Sequence, residues 1–387
     1  MGVFLDKSIC YRFRESIGET KIFVYDEGLK NHYNLFCVVM DRLDSSIEYL
    51  NKNSKKPKTE NDFLFFITHS CIVLDAVKQL FQSLNLTNTY TDINNANSYT
   101  YFKDTCTAYP RIFPEDKLPT DDKFFEYFRS LSMAHPFETS RPKFFKKNEI
   151  QYSPWIIVRS SFSELKDPVG ARIYSNQFED IQDLKFPFER LKGYINSRYL
   201  LIDEATEKIH QIVEEKRGIW KKNKIPRQLP PIQTLEEIKK RLKERYEETY
   251  TVDSALNCFK VQLTDINNQS IVLNYLKVIE DLLPSLIDTI DMLNHERSED
   301  LLYSVLNTRP KSMHQMADYQ LEKIFMYLDI SDETSSNYHW GLEQAEDFAE
   351  GLGNKWVSIN TDTMNAEEIK LLVRVACYFE KKEQLNN

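Results

Sequence analysis

The amino-acid sequence predicts a mainly α protein: helical bundle domains, one small β-hairpin and a long coiled-coil-like helix. Three observations carry that expectation. Apolar residues recur at helical spacing through most of the chain. Glycine is scarce, nine in 387 residues, where about 7% is usual. Prolines and capping residues, rather than glycines, punctuate the periodic segments. Doubly wound nucleotide-binding sheets, propellers and many-stranded barrels need turn glycines, so the composition argues against them.

Residues 31–51 form the first amphipathic segment, with Leu35, Val38, Val39, Leu43, Ile47 and Leu50 on one stripe. A charged turn around Pro57 leads into a second helix over about 62–85. Its buried face is Phe63, Phe66, Ile67, Ser70, Val73, Leu74, Val77, Leu80, Phe81 and Leu84. The two read as an antiparallel helical hairpin. Residues 86–120, rich in Asn, Thr, Tyr and Pro, read as mostly irregular. Thr120 caps a third helix with Asp121 and Asp122 in its first turn, where negative charge is favoured. Phe124, Phe128 and Leu131 are its core stripe, and Pro136 ends it.

After residue 150 the pattern shifts. PWIIVRS (154–160) and VGARIYS (169–175) are β-prone runs that predict a small hairpin. A long helix is expected from Pro187 to about Asn223, roughly 50 Å at 1.5 Å per residue. Its stripe is Leu191, Ile195, Arg198, Ile202, Ala205, Ile209, Ile212, Lys216 and Ile219, a heptad seam with two basic interruptions. IPRQLPPI (225–232) reads as a stiff linker, and Thr234 with Glu237 as a capping box. Leu235, Ile238, Leu242 and Tyr246 line the helix behind it. Residues 250–387 are helical again, with Pro284 kinking or starting a helix and Asn365 opening the last one. The organisation is therefore a helical bundle (1–150), a β-hairpin with long helix and linker (151–232) and a C-terminal helical domain (233–387).

Charge and cysteine usage bound the function. A net charge of −9 makes the whole chain no general polyanion binder. The six cysteines are scattered, without any C-x-x-C pair, as reduced thiols in a cytoplasmic protein would be. MGVFLDKSIC lacks the basic and apolar regions of a signal peptide, and Asp6 stands where a myristoylation pattern takes Ser or Thr. No apolar run approaches 18 residues, so no membrane span or membrane partner is expected. Compact phosphate-loop, nucleophile-elbow and zinc motifs are absent. Two helix faces, Glu207/His210/Glu214 and Asp288/Asp291/His295, have metal-ligand residue types, but read as solvated faces with local ion pairs. Neither a metal nor any other cofactor is expected.

Two basic stretches stand out. RPKFFKK (141–147) sets Arg141, Lys143, Lys146 and Lys147 around two phenylalanines; KRGIWKKNKIPR (216–227) has six cations around Trp220. Cations interleaved with aromatics suit single-stranded nucleic acid. For 216–227 a helix C-terminus that welcomes cations is the alternative.

The sharpest motif is FFEYFRSLSMAHPFETSR (124–141), in which Arg129 and His135 are separated by five residues. Six steps at 100° leave His135 about 120° round an unbroken helix from Arg129. The residue before a proline is pushed out of the α region, so His135 can lie beyond the last turn and swing toward the arginine. A guanidinium nearby disfavours imidazolium, keeping a histidine neutral as a general base must be. The alternative is structural: His135 on free carbonyls at the helix end, and Arg129 on an acid such as Glu126 or Glu138.

With the helical hairpin before it, the run Arg129, Ser130, Ala134, His135, Pro136 resembles the HEPN superfamily, the higher eukaryotes and prokaryotes nucleotide-binding domain, over about residues 31–140. The resemblance implies an all-α bundle and a metal-independent endoribonuclease. In that reading His135 takes the proton of a ribose 2′-hydroxyl and Arg129 holds the phosphate, leaving a 2′,3′-cyclic phosphate. It further implies RNA as partner, bound beside Arg141, Lys143, Lys146 and Lys147, a homodimer with the site between subunits, and a role in defence or as a toxin. The reading from a different class is a non-catalytic helical interaction protein that meets a protein partner through 151–250.

Overall fold

A computed structural model gives the fold, which is mainly α with one small antiparallel sheet. It describes residues 3–139, 148–158, 165–311, 316–330 and 332–386. The chain forms two compact units, Met1–Val213 and Glu214–Asn387. That division lies between the two sequence boundaries at 150 and 232.

In the first unit, α1 (Lys7–Gly18) opens at Asp6, whose carboxylate accepts from the Ser8 N–H at 2.9 Å. The short α2 (Ile22–Tyr25) leads into α3 (Lys30–Lys52), which pairs with α4 (Glu60–Ser83) as the expected antiparallel hairpin. Phe36, Val39, Met40, Leu43, Ile47 and Leu50 form the buried stripe of α3, while Val38 faces outward with 58% exposure. Phe36, absent from the sequence stripe, takes its place in the core. A capping box that the charge-rich turn conceals starts α4: Thr59 accepts from Asp62 N–H and Asp62 accepts from Thr59 N–H. By length and composition α4 would be able to cross a membrane. Here it buries Phe63, Phe66, Ile67, Val73 and Val77 among neighbouring helices, as a core helix does.

The irregular stretch holds 3₁₀ turns and one short helix, α5 (Lys103–Ala108). Thr120 then caps α6 (Asp121–Arg129) as expected, accepting from the Lys123 N–H. Phe124 stacks on Phe102 with centroids 4.3 Å apart, and Phe128 meets the edge of Phe186 at 4.9 Å. These aromatic contacts, each worth about 0.5–1.5 kcal/mol beyond area burial, join α6 to the start of α5 and to the sheet.

The sheet contains the expected hairpin, with Ile156 opposite Ala171 and Ile157 opposite Gly170, and extends it. Among the described residues it has four antiparallel strands: β1 (Gln151–Tyr152), β2 (Ile156–Ile157), β3 (Pro168–Ser175) and β4 (Phe178–Pro187). β3 is central, and its main partner is β4, with Val169 opposite Phe186 and Ala171 opposite Leu184. The first half of β4 is solvent-facing and acidic, so its period-two pattern shows only in Leu184 and Phe186. Gly170 lets β3 and β4 approach: a Cβ there would lie 1.9 Å from the Leu184 carbonyl oxygen. Gly170→Ala must push backbone apart, with an expected loss of about 1–3 kcal/mol. An unchanged urea midpoint would contradict this close approach.

The single long helix is corrected. It is two helices, α7 (Phe188–Tyr199) and α8 (Ile202–Lys222), and Pro187 is the extended cap rather than the first helical residue. At the break the bonds tighten to three-residue spacing, Leu201 N–H to Arg198 and Asp203 N–H to Leu200. Arg198, Tyr199, Leu201 and Ile202 are all buried there. Tyr199 is tied to the Asp6 carbonyl at 2.6 Å. Ile219, placed on the seam from sequence, is 62% exposed.

Among its described residues the second unit contains helices and no strand. α9 (Pro231–Glu244) begins at Pro231, three residues before the expected capping box, and Thr234 donates its hydroxyl to the Leu229 carbonyl instead. α10 (Tyr250–Lys260), α11 (Gln269–Asp291), α12 (His295–Leu306), α13 (Ala317–Tyr327), α14 (Ser336–Gly351) and α15 (Ala366–Asn386) follow. Pro284 lies inside α11, which continues past it. Asn365 precedes α15, its side chain accepting from the Glu368 N–H at 2.9 Å. The core gathers Leu235, Tyr275, Ile279, Leu286, Leu321 and Leu372.

Candidate functional site

The Arg129/His135 motif sits where α6 meets the sheet. α6 does not end as a plain α-helix. Residues Ser130–Ala134 widen into a π-turn, closed by the His135 N–H on the Ser130 carbonyl at 2.7 Å. Single π-turns in helices are uncommon and concentrate at functional sites. His135 then leaves the helix with φ −141° and ψ 54°. This is the departure from the α region that the following proline demands.

The backbone beyond His135 is held firmly. Its carbonyl accepts from the Thr139 hydroxyl at 2.7 Å, and Pro136 accepts from the Ser153 N–H at 2.8 Å. Thr139 and Gln151 exchange both backbone hydrogen bonds, at 2.9 and 3.0 Å. Beneath them runs a buried polar chain. Tyr127 donates to Gln151 at 2.6 Å, and Gln151 and Ser175 both donate to Glu149, at 2.8 and 3.2 Å. Buried networks of this kind specify one arrangement when every member is satisfied. The His135 imidazole itself is exposed and makes no hydrogen bond among the described residues. Phe137, 86% exposed, stands beside it.

Arg129 takes a different course. It is half-buried at the C-terminus of α6, and its guanidinium lies close enough to the Cys71 side chain of α4 to act on it electrostatically. Burial pushes the Cys71 thiol up to about 11; Arg129 opposes that shift and Asp75 adds to it. Among the described residues it pairs with neither acid considered from sequence: Glu126 pairs with Lys123 at 2.7 Å. Just beyond, Thr68 of α4 reaches the Met133 sulfur at 3.4 Å, fixing the π-turn on that helix. No hydrogen bond among the described residues joins Arg129 to His135. The helix end holds both residues without pairing their side chains.

The expected substrate contacts Arg141, Lys143, Lys146 and Lys147 lie outside the described residues. In 216–227, Trp220 packs against Tyr246 with centroids 6.4 Å apart, Arg227 pairs with Asp288 at 2.5 Å and Lys224 lies near Asp291. Lys224 and Arg227 hold the turn after α8 to α11. The two metal-type faces are engaged in the same local way: Glu214 pairs with Arg217, and His295 faces Glu247 and Glu299. Among the described residues no group of three or more His, Cys, Asp or Glu residues is placed to hold a metal.

Sequence reasoning overlooked the outer face of the sheet. Tyr152 on β1 lies opposite Tyr174 on β3, and the Trp155 ring carries the Arg172 guanidinium 4.5 Å from its centroid. Arg172 is gripped by Asp183 at 2.7 and 3.0 Å, and its hydrogen bond holds the Asp183 carboxyl below the usual range. The alternation in Gln-Tyr and Arg-Ile-Tyr was the available signal. Comparison of the chain with family models, curated proteins and solved structures returns no match.

Proposed function

We propose that this protein is a metal-independent endoribonuclease of HEPN type. The observation that carries the reading is His135: an exposed imidazole with no hydrogen-bond partner among the described residues, on a backbone fixed at a π-turn. A base that must take a ribose 2′-hydroxyl proton needs such access and such a fixed origin. Arg129 supplies cationic charge at the same helix end. Its neighbour Cys71, a thiol, leaves it far less neutralised than a carboxylate partner would. To hold a phosphate it must give up, or share, that contact with Cys71.

The proposal keeps the homodimer, the cytoplasmic setting and the defence or toxin role as implications of the HEPN resemblance. RNA incubated with the protein in excess EDTA is expected to be cut, leaving 2′,3′-cyclic phosphate ends. His135→Ala and Arg129→Ala should each lower that rate at least about a hundredfold, the usual scale of a lost acid–base or charge-stabilising group. Absence of cleavage, or cleavage indifferent to both changes, removes this reading.

The open sheet face favours a second reading, a helical interaction protein meeting its partner through 151–250. Tyr152, Trp155 and Tyr174 are 37%, 44% and 39% exposed on that face. Exposed aromatics grouped together mark interaction surfaces.

A further inference from the structure

α10 and α15 of the C-terminal unit enclose a pocket of about 90 Å³, with Asp329 at its edge. A water needs roughly 10–15 Å³ of such space, so the pocket accommodates a molecule of roughly six to nine heavy atoms. Glu367, Lys370 and Arg374 project into it from successive turns of α15, facing Asp253 and Cys258 on α10.

The charges inside are unequally partnered. Lys370, 7% exposed, is shared by Asp329 and by Glu367, the latter at 2.6 Å. Asp253 is held by Lys239 at 2.5 Å and by the Thr249 hydroxyl at 2.9 Å. Arg374 has no carboxylate partner among the described residues. Its guanidinium carbon lies over the Phe325 ring, 4.9 Å from the centroid. A ring contact supplies no hydrogen-bond acceptor lone pair of the kind a carboxylate offers. Its Nη1 has only the Cys258 sulfur at 3.9 Å, and its Nε is buried with no hydrogen-bond partner. A buried charged donor left in that state bears its full desolvation cost, which an anionic acceptor would relieve.

A bare anion would satisfy Arg374 but would face three carboxylates. A bare cation would satisfy Asp329 and Glu367, each of which has a second oxygen to offer at about half exposure, but would face Arg374. We propose that the pocket binds a small zwitterion of the α-amino-acid class. Its carboxylate lies along the guanidinium edge of Arg374 and its ammonium points toward Asp329 and Glu367. The short spacing between opposite charges in that class matches a pocket of this size, and it adds no net charge to an already acidic lining.

Calorimetric titration of the full chain with glycine, alanine and serine tests this, with acetate, ethylamine and inorganic phosphate as comparison ligands. At least one amino acid is expected to bind one to one, about tenfold tighter than acetate or ethylamine. Arg374→Gln should weaken that binding about tenfold, and Glu367→Gln several-fold. Glu367 is half-exposed, so Glu367→Gln should keep the thermal midpoint and decides the matter alone if Arg374→Gln does not fold. The proposal is overturned if no amino acid binds, if acetate binds as tightly, if phosphate is preferred, or if the variants bind unchanged.

Discussion

Replacing Arg198 with alanine is expected to destabilise the N-terminal unit by about 3–5 kcal/mol, the cost of orphaning one partner of a buried ion pair. Arg198 is 2% exposed. Its Nε and Nη2 both reach the Asp122 carboxylate, at 3.2 and 2.7 Å, and Tyr194 adds a hydroxyl donor to the same carboxylate at 2.9 Å. The guanidinium also lies over the rings of Tyr90 and Tyr194, 4.5 and 5.0 Å from their centroids. Alanine removes the charge, the stacking and the bidentate contact together, and leaves Asp122 and Tyr194 facing a void. The cycle with Asp122→Asn separates these contributions. A double variant much less destabilised than the sum of the singles shows the charge pair at work. An Arg198→Ala loss below about 1 kcal/mol in urea unfolding, the value for an exposed pair, would show that the site is hydrated.

Asp121→Ala is expected to cost at least about 3 kcal/mol, because three backbone donors lose one acceptor. Asp121 is 1% exposed, and its carboxylate accepts from Thr100, Tyr101 and Phe102 at 2.8, 3.1 and 2.8 Å. It is the clasp that folds the irregular 86–120 stretch onto α6 and places Phe102 against Phe124. Asp121→Asn keeps one carbonyl oxygen and should cost about half as much. Equal losses for both variants would mean that charge, not acceptor count, holds the turn. Hydrogen exchange at residues 100–102 distinguishes the cases, since those amides should lose protection first.

The two neighbouring acids show where sequence reading reached and where it stopped. Thr120 and both aspartates were legible as a helix start, from capping preference and dipole alone. Their long-range partners were not: Asp121 serves a turn about 20 residues back and Asp122 an arginine 76 residues on. Local pattern does not encode such pairings. Arg198 accordingly read as a basic interruption in an apolar seam, when it is the anchor that accompanies the break between α7 and α8. The helical hairpin of α3 and α4 was legible because periodicity there is long and regular. β4 was not, because half of it faces solvent with acidic residues that carry no alternation. In the candidate site, the escape of His135 from the helix followed from Pro136. The engagement of Arg129 with Cys71 did not, since nothing in the local run points to α4.

The π-turn at 130–134 also ties chain length to sheet pairing. Consecutive Cα atoms lie about 3.8 Å apart, more than the reach of one hydrogen bond. Removing one residue to restore a plain α-helical end would draw Pro136 and Thr139 away from Ser153 and Gln151. The extra residue therefore acts as a spacer between a helical rise and a strand register, two repeats that do not otherwise coincide. Insertions and deletions are usually absorbed by loops. At this junction the extra residue sits in the helix itself, and the histidine emerges where the two repeats are brought into step.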